Sequence, residues 1–152
     1  MAESIKITIR NDHTDEVIKK MKEALYDSFD LIGQRAVRNA VTNIENDPHR
    51  VDTGLLRNSI TYAHGGEGPE KTSYKGSQES KYGKKGIPSG SYSGTAPKEG
   101  DESVYIGTNV EYALYVHEGT RKMAANRFLR DAIKGHEDEY GAICKNKFGQ
   151  IS

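Results

Sequence analysis

Polar and apolar residues alternate strictly from Ser4 to Arg10, with Ile5, Ile7 and Ile9 on one side and Lys6, Thr8 and Arg10 on the other. A period of two predicts a half-buried strand over Ile5–Arg10. The residues NDHTDE follow; they supply cap residues, and Asp15 and Glu16 favour a helix N-terminus. From Thr14 to Glu45 the period lengthens. Ile18, Met21, Leu25, Phe29, Ile32, Ala36, Ala40 and Ile44 recur every three or four residues, one apolar stripe on a helix. No proline interrupts it before Pro48, and only Gly33 weakens it. At 1.5 Å per residue this helix is roughly 45 Å long, more than a domain this small needs to cover its own sheet. Its end is then expected to pack on a neighbouring subunit; a kink at Gly33, giving two helices, is the alternative.

Past Pro48 the run VDTGLLRNSITYA reads as a turn, a short helical piece and a strand. Asp52 or Thr53 can cap a turn through Leu55, Leu56 and Arg57, and Gly54 supplies the backbone freedom the turn requires. A strand is expected over Ser59–Ala63, with Ile60 and Tyr62 on one face. A second clear strand is SVYIGT, Ser103–Thr108. The segment NVEYALYVHEGT suits a short helix or a strand, with Gly119 ending it. The residues ANRFLRDAIKGHEDEYGAI predict an amphipathic helix with Phe128, Leu129, Ala132 and Ile133 inward and Gly135 ending or kinking it. The tail CKNKFGQIS has little pattern.

Residues 64–102 differ in composition. They hold three of the four prolines and nine of the sixteen glycines, with Ile87 nearly the only aliphatic anchor. Such a segment buries too little apolar area to offset the entropy of ordering, so a long mobile loop is expected. It is either a surface insertion without consequence or a partner-contacting loop, with Tyr74, Tyr82, Lys84, Lys85 and Tyr92 as contact residues.

The 152 residues fit one domain spanning 1–152 with this loop as an insertion. Hydrophobic residues make up only 34%, so a large part of the chain is expected outside any core. Lys+Arg and Asp+Glu balance at 22 each, which argues against a chain whose main task is gripping phosphates. Cys144 is the only cysteine, so no internal disulfide can form. The opening MAESIKITIR has no long apolar run, and nothing approaches the ~20 apolar residues of a membrane span. Synthesis in the cytoplasm and no membrane association are expected.

Candidate chemistry is sparse. His117-Glu118 resembles the start of a zinc-protease helix, but that motif needs a second histidine one turn later, and position 121 is Arg121. Gly119 and Thr120 are also poor helix interior. Cys144 has no local histidine to activate it. No Gly-x-Ser-x-Gly or phosphate-loop pattern is present. No catalytic residue, metal ligand or cofactor is assigned. KYGKKG is basic and flexible, but acidic neighbours nearly neutralise it.

Two blocks stand out together: VDTGLLRNSI at 51–60, and VYIGTNVEYALYVHEGTRKMAANRFLRDAI at 104–133. In order, and separated by a variable loop, they resemble the HK97 gene-product-10-like family of tailed-phage neck and tail-completion proteins. The matching positions are Val51, Asp52, Thr53, Gly54, Leu56, Ser59 and Ile60, then Gly107, Glu111, Tyr112, Ala113, Tyr115, Val116, Gly119, Thr120, Met123, Phe128 and Leu129. Two prolines of the family pattern are replaced, by Arg127 and Asp131, which makes Asn126 the expected cap of the closing helix. His117 stands where the family commonly has glutamate.

The resemblance implies a structural virion protein that forms a homo-oligomeric ring at the head–tail interface. It would contact other neck and tail proteins: connector, terminator and tail tube. A tail terminator capping the tube, or a channel-lining protein touching DNA, are the alternatives. The matching residues are expected to act in fold and assembly, with Gly119-Thr120 as a tight reversal. Tyr112 and Tyr115, three apart, would share a face that seals the sheet or meets a subunit boundary. The fold expected is α+β: a small antiparallel sheet of Ile5–Arg10, Ile60–Ala63 and Val104–Thr108, packed by a long N-terminal and a shorter C-terminal helix.

Overall fold

A computed structural model describes residues 14–47, 51–64, 69, 71–83, 85–92 and 103–150. The strand expected at Ile5–Arg10 lies outside them. The fold is α+β. In chain order the elements are α1 (Thr14–Glu45), α2 (Leu55–Ser59), β1 (Thr61–His64), β2 (Ser73–Lys75), β3 (Ser89–Ser91), β4 (Val104–Gly107), α3 (Ala113–Glu118), α4 (Phe128–Lys134) and α5 (Glu137–Gly149).

α1 is one helix of 32 residues with no break at Gly33. Gly33 instead lets the sheet approach: a Cβ there would stand 2.2 Å from the Tyr62 ring. β1 pairs antiparallel with β4, in register from Thr61↔Gly107 to His64↔Val104. α1 lies across this pair and against α4 and α5. That contact explains why all four residues of β1 are buried, whereas on β4 only alternate side chains turn inward and Tyr105 is exposed. Near the middle of α1, His64 Nε2 lies 2.8 Å from the Asp30 carboxylate, and its ring stacks on Tyr26 at 5.4 Å.

The core sits at the C-terminal half of α1. Ala40 and Ile44 meet Leu56, Ile60, Val110, Ala113, Val116, Phe128 and Ala132. Ala113 and Val116, three apart and both buried, settle the ambiguous segment as helix α3. Polar side chains reinforce the seam. Asn43 Nδ2 donates to Phe128 O at 3.1 Å, and Asn126 Nδ2 donates back to Asn43 O at 3.2 Å. Asn126 is therefore a strut to α1 and not the helix cap; Arg127 holds that position.

Three further expectations are corrected. Ile133 is exposed, because the inward side of α4 is set by Phe128 and Ala132. Gly135 ends α4, but the patternless tail is helical: α5 runs to Gly149 and packs on α1. The Arg35–Glu139 ion pair and a 3.0 Å bond from Asn39 Nδ2 to the Tyr140 hydroxyl hold it there. Third, the inserted segment is not structureless where described. β2 and β3 form a second antiparallel pair, Ser73↔Ser91 to Lys75↔Ser89.

Candidate functional site: the Asp52–Gly54 turn and its groove

The first of the two sequence blocks forms a turn that ties the inserted segment to the body. Gly54 caps α2 with φ 79°, a left-handed conformation that favours glycine. The Thr53 hydroxyl accepts the Leu55 N–H at 3.2 Å, so Thr53 serves the role expected of a capping side chain. The carbonyls of the same turn face the insertion. Thr53 O accepts from the Ser77 N–H at 2.6 Å, and Asp52 O accepts from Gln78 Nε2 at 2.6 Å. The Asp52 carboxylate takes the Ser80 hydroxyl and, at 2.9 Å, the Lys81 N–H. From α2, Arg57 donates to Ser77 Oγ at 2.8 Å and Asn58 Nδ2 to Lys75 O at 2.8 Å. From the insertion side, Lys71 Nζ donates to the carbonyls of Asn58 and Ile60 at 3.2 and 3.0 Å.

The Ser80 hydroxyl first, then the Lys81 amide, hold the Asp52 carboxyl below its ordinary value of 3.8. A depressed folded-state pKa gives a contribution that is full above the ordinary value and lost as pH falls through the lower one. The Lys81 amide shift, followed by NMR, should therefore titrate with a midpoint below 3.8, and Asp52→Asn should abolish that titration. A midpoint at or above the ordinary value would show that Asp52 does not anchor this segment.

The turn borders a groove of about 460 Å³. Ile44 and Leu56 line it from the core side, with Val51 and Leu55 from the turn, Ile87 and Pro88 from the insertion, and Tyr112 from the start of α3. Burial pushes the Tyr112 phenol pKa up, and contacts with Leu56 and Thr53 partly offset this. Charged side chains at the edge are Asp52, Arg57 and Lys85.

The structure sorts the remaining expected contact residues. Tyr74 on β2 and Tyr92, just past β3, pack ring against ring at 5.1 Å. Asn109 links that sheet to the body, accepting from the Tyr74 hydroxyl and donating to Ser91 O. These two tyrosines are internal fasteners, not free contacts. Tyr82 is 90% exposed, and Lys85 is exposed at the groove edge. Lys84 lies outside the described residues. Tyr115 is exposed and does not seal the sheet, while Tyr112 leans into the groove, so the two do not share one role. Gly107 ends β4 opposite Thr61, with open space around it.

The second block closes the core behind the groove. Gly119 ends α3 at φ 82°, and Thr120 and Met123 exchange backbone bonds to make the reversal into α4. Phe128 is fully buried and Leu129 packs beside the core. His117 Nδ1 lies 2.8 Å from Glu118, and Nε2 accepts the Arg130 N–H at 3.3 Å, which assigns the proton to Nδ1. The bond from His117, the first cause, and the charge of Arg127 lower the Glu118 pKa. His117 thus braces the start of α4.

Among the described residues no three His, Cys, Asp or Glu side chains are placed to hold a metal ion, and no helix is long and apolar enough to cross a membrane. Comparison with family profiles, curated proteins and solved structures finds no match to this chain. Reasoning from sequence missed Ser77, Gln78 and Ser80 as anchors and the part of α5 from Cys144 onward. Acidic Glu137, Asp138 and Glu139 in the first turn with Lys147 in the last was the available signal for α5. The serines carried no comparable signal.

Proposed function

We propose that this protein is a structural component of a tailed-phage particle, assembling as a ring at the head–tail interface in neck or tail completion. In this reading it performs no catalysis, carries no cofactor, and resides in the virion, where it contacts copies of itself and adjoining neck and tail proteins. The ordered resemblance of residues 51–60 and 104–133 to the neck and tail-completion family supplies the biological setting.

One observation about the fold carries the assembly part of the reading. The first turns of α1 stay exposed from Asp15 to Glu23, although the apolar stripe runs through them. Val17, Ile18 and Met21 are each nearly half exposed. A contiguous apolar row on a regular helix is favourable only when something covers it. Leu114 and Tyr115 add a second exposed apolar group on α3.

Sedimentation velocity and native mass measurement test the proposal. A closed ring of one discrete stoichiometry is the expected result, alone or with the adjoining particle components. A monomer under both conditions would overturn it. A salt-sensitive shift of duplex DNA would instead favour a channel-lining role.

A further inference from the structure

We propose that the exposed apolar row at the start of α1 in one copy seats in the groove beside the Asp52–Gly54 turn of the next copy. This contact, repeated around an axis, is then the bond that builds the ring; the inference rests on the ring reading above.

The chain carries both halves of the contact. The row consists of Val17, Ile18 and Met21, at positions that neighbour one another on one side of the helix. The groove offers about 460 Å³ between Val51, Leu55, Ile87, Pro88 and Tyr112, enough for a short row of aliphatic side chains. Burying such side chains in a preformed apolar cleft is the usual anchor of an interface.

The fold prevents α1 from seating its own row in its own groove. α1 is unbroken from Thr14 to Glu45, and Ile44 lines the groove at its far end. From Met21 to Ile44 the helix advances roughly 35 Å. The row and the groove therefore sit at opposite ends of one rigid rod, so a row that seats in the groove comes from another copy. A second copy fits because it is the molecule that presents this row in the same particle at equal concentration.

Charge agrees with this arrangement. Lys20 and Lys22 flank the row on either side, and Asp15 precedes it. At the groove edge the exposed Lys85 offers a positive charge to the acidic first turn. Because the two surfaces differ, the contact is head-to-tail. A head-to-tail contact closes into a ring when its rotation divides the circle and otherwise grows as a filament.

The test uses three variants of the full chain. Ile18→Asp with Met21→Asp disables the row; Ile87→Asp disables the groove, with Lys85→Glu as a milder second groove variant. All of these positions are exposed, and circular dichroism with a thermal melt checks that each variant folds. Each apolar-to-acid variant alone should associate roughly tenfold or more weakly than wild type and sediment as a monomer. Mixed in equal amounts, the row and groove variants should form a one-to-one dimer that grows no further, since one intact row meets one intact groove. Variants that assemble like wild type, or a mixture that stays monomeric, would overturn this contact and leave the ring reading standing. A wild-type protein that is monomeric alone and with its particle components would overturn the ring reading itself, and this contact with it.

Discussion

Phe128→Ala is expected to lower the free energy of unfolding by about 3–5 kcal/mol. The Phe128 side chain is completely buried among Ala40, Ile44, Val116 and Ala132. Its ring meets His117 edge-on at a centroid distance of 5.4 Å. Truncation removes apolar contact and leaves a void between α1, α3 and α4. The bond from the Asn43 side-chain amide to Phe128 O keeps α4 in place and limits collapse into that void. Total stabilities of domains are about 5–15 kcal/mol, so this one change consumes a large share. Urea unfolding followed by circular dichroism measures it, with a lower midpoint at unchanged slope. A loss below about 1 kcal/mol would mean that Phe128 is not the centre of the core. Glu118→Gln, at an exposed position on the same seam, should change stability far less.

Gly119→Ala is the second large effect, expected at about 3 kcal/mol or more from backbone strain and overpacking together. At φ 82° and ψ 173° the residue occupies a region essentially reserved for glycine. A Cβ there would stand 2.7 Å from Ala125 N and 2.9 Å from Met123 O. Those are backbone atoms, so no rotamer change relieves the clash. The reversal between Thr120 and Met123 would have to open, and with it the approach of α4 to the core. A thermal melt should fall by roughly 6–12 °C for a chain of this size. Gly107→Ala, with open space around its Cβ position, is the control and should shift the melt little. Equal shifts for the two glycines would refute the geometric account.

The elements most legible in the sequence were those whose side chains repeat at a fixed period. The stripe from Ile18 to Ile44 and the absence of proline gave α1 nearly to the residue, and alternation gave β4. The pair Thr53-Gly54 announced its turn through residue types that few other conformations need. The segment from Asn109 to Thr120 remained ambiguous because its Tyr and Val residues suit a strand as well as a short helix. The end of α5, from Cys144 onward, was missed for a related reason. It buries no residue fully, so it has no strong apolar stripe, and contacts such as Arg35–Glu139 and Asn39–Tyr140 link positions about a hundred residues apart. The inserted segment was read as unstructured because its composition is poor in apolar side chains. That argument neglected hydrogen bonds that the turn itself supplies: the carbonyls of Asp52 and Thr53 and the Asp52 carboxylate receive Ser77, Gln78, Ser80 and Lys81.

By itself the sequence determined the α+β class, the long helix, the turn at Asp52–Gly54 and the inward positions Phe128 and Ala132. These follow from local geometry, since period and turn chemistry act between near neighbours along the chain. Only the tertiary structure decided which part of the α1 stripe is covered, that Gly33 admits Tyr62, and that the insertion closes one side of an apolar groove. Each of these depends on where two distant segments come to lie. The free energy of a single polar bond or ring contact is too small, and too dependent on distance, to leave a pattern in the residues that make it.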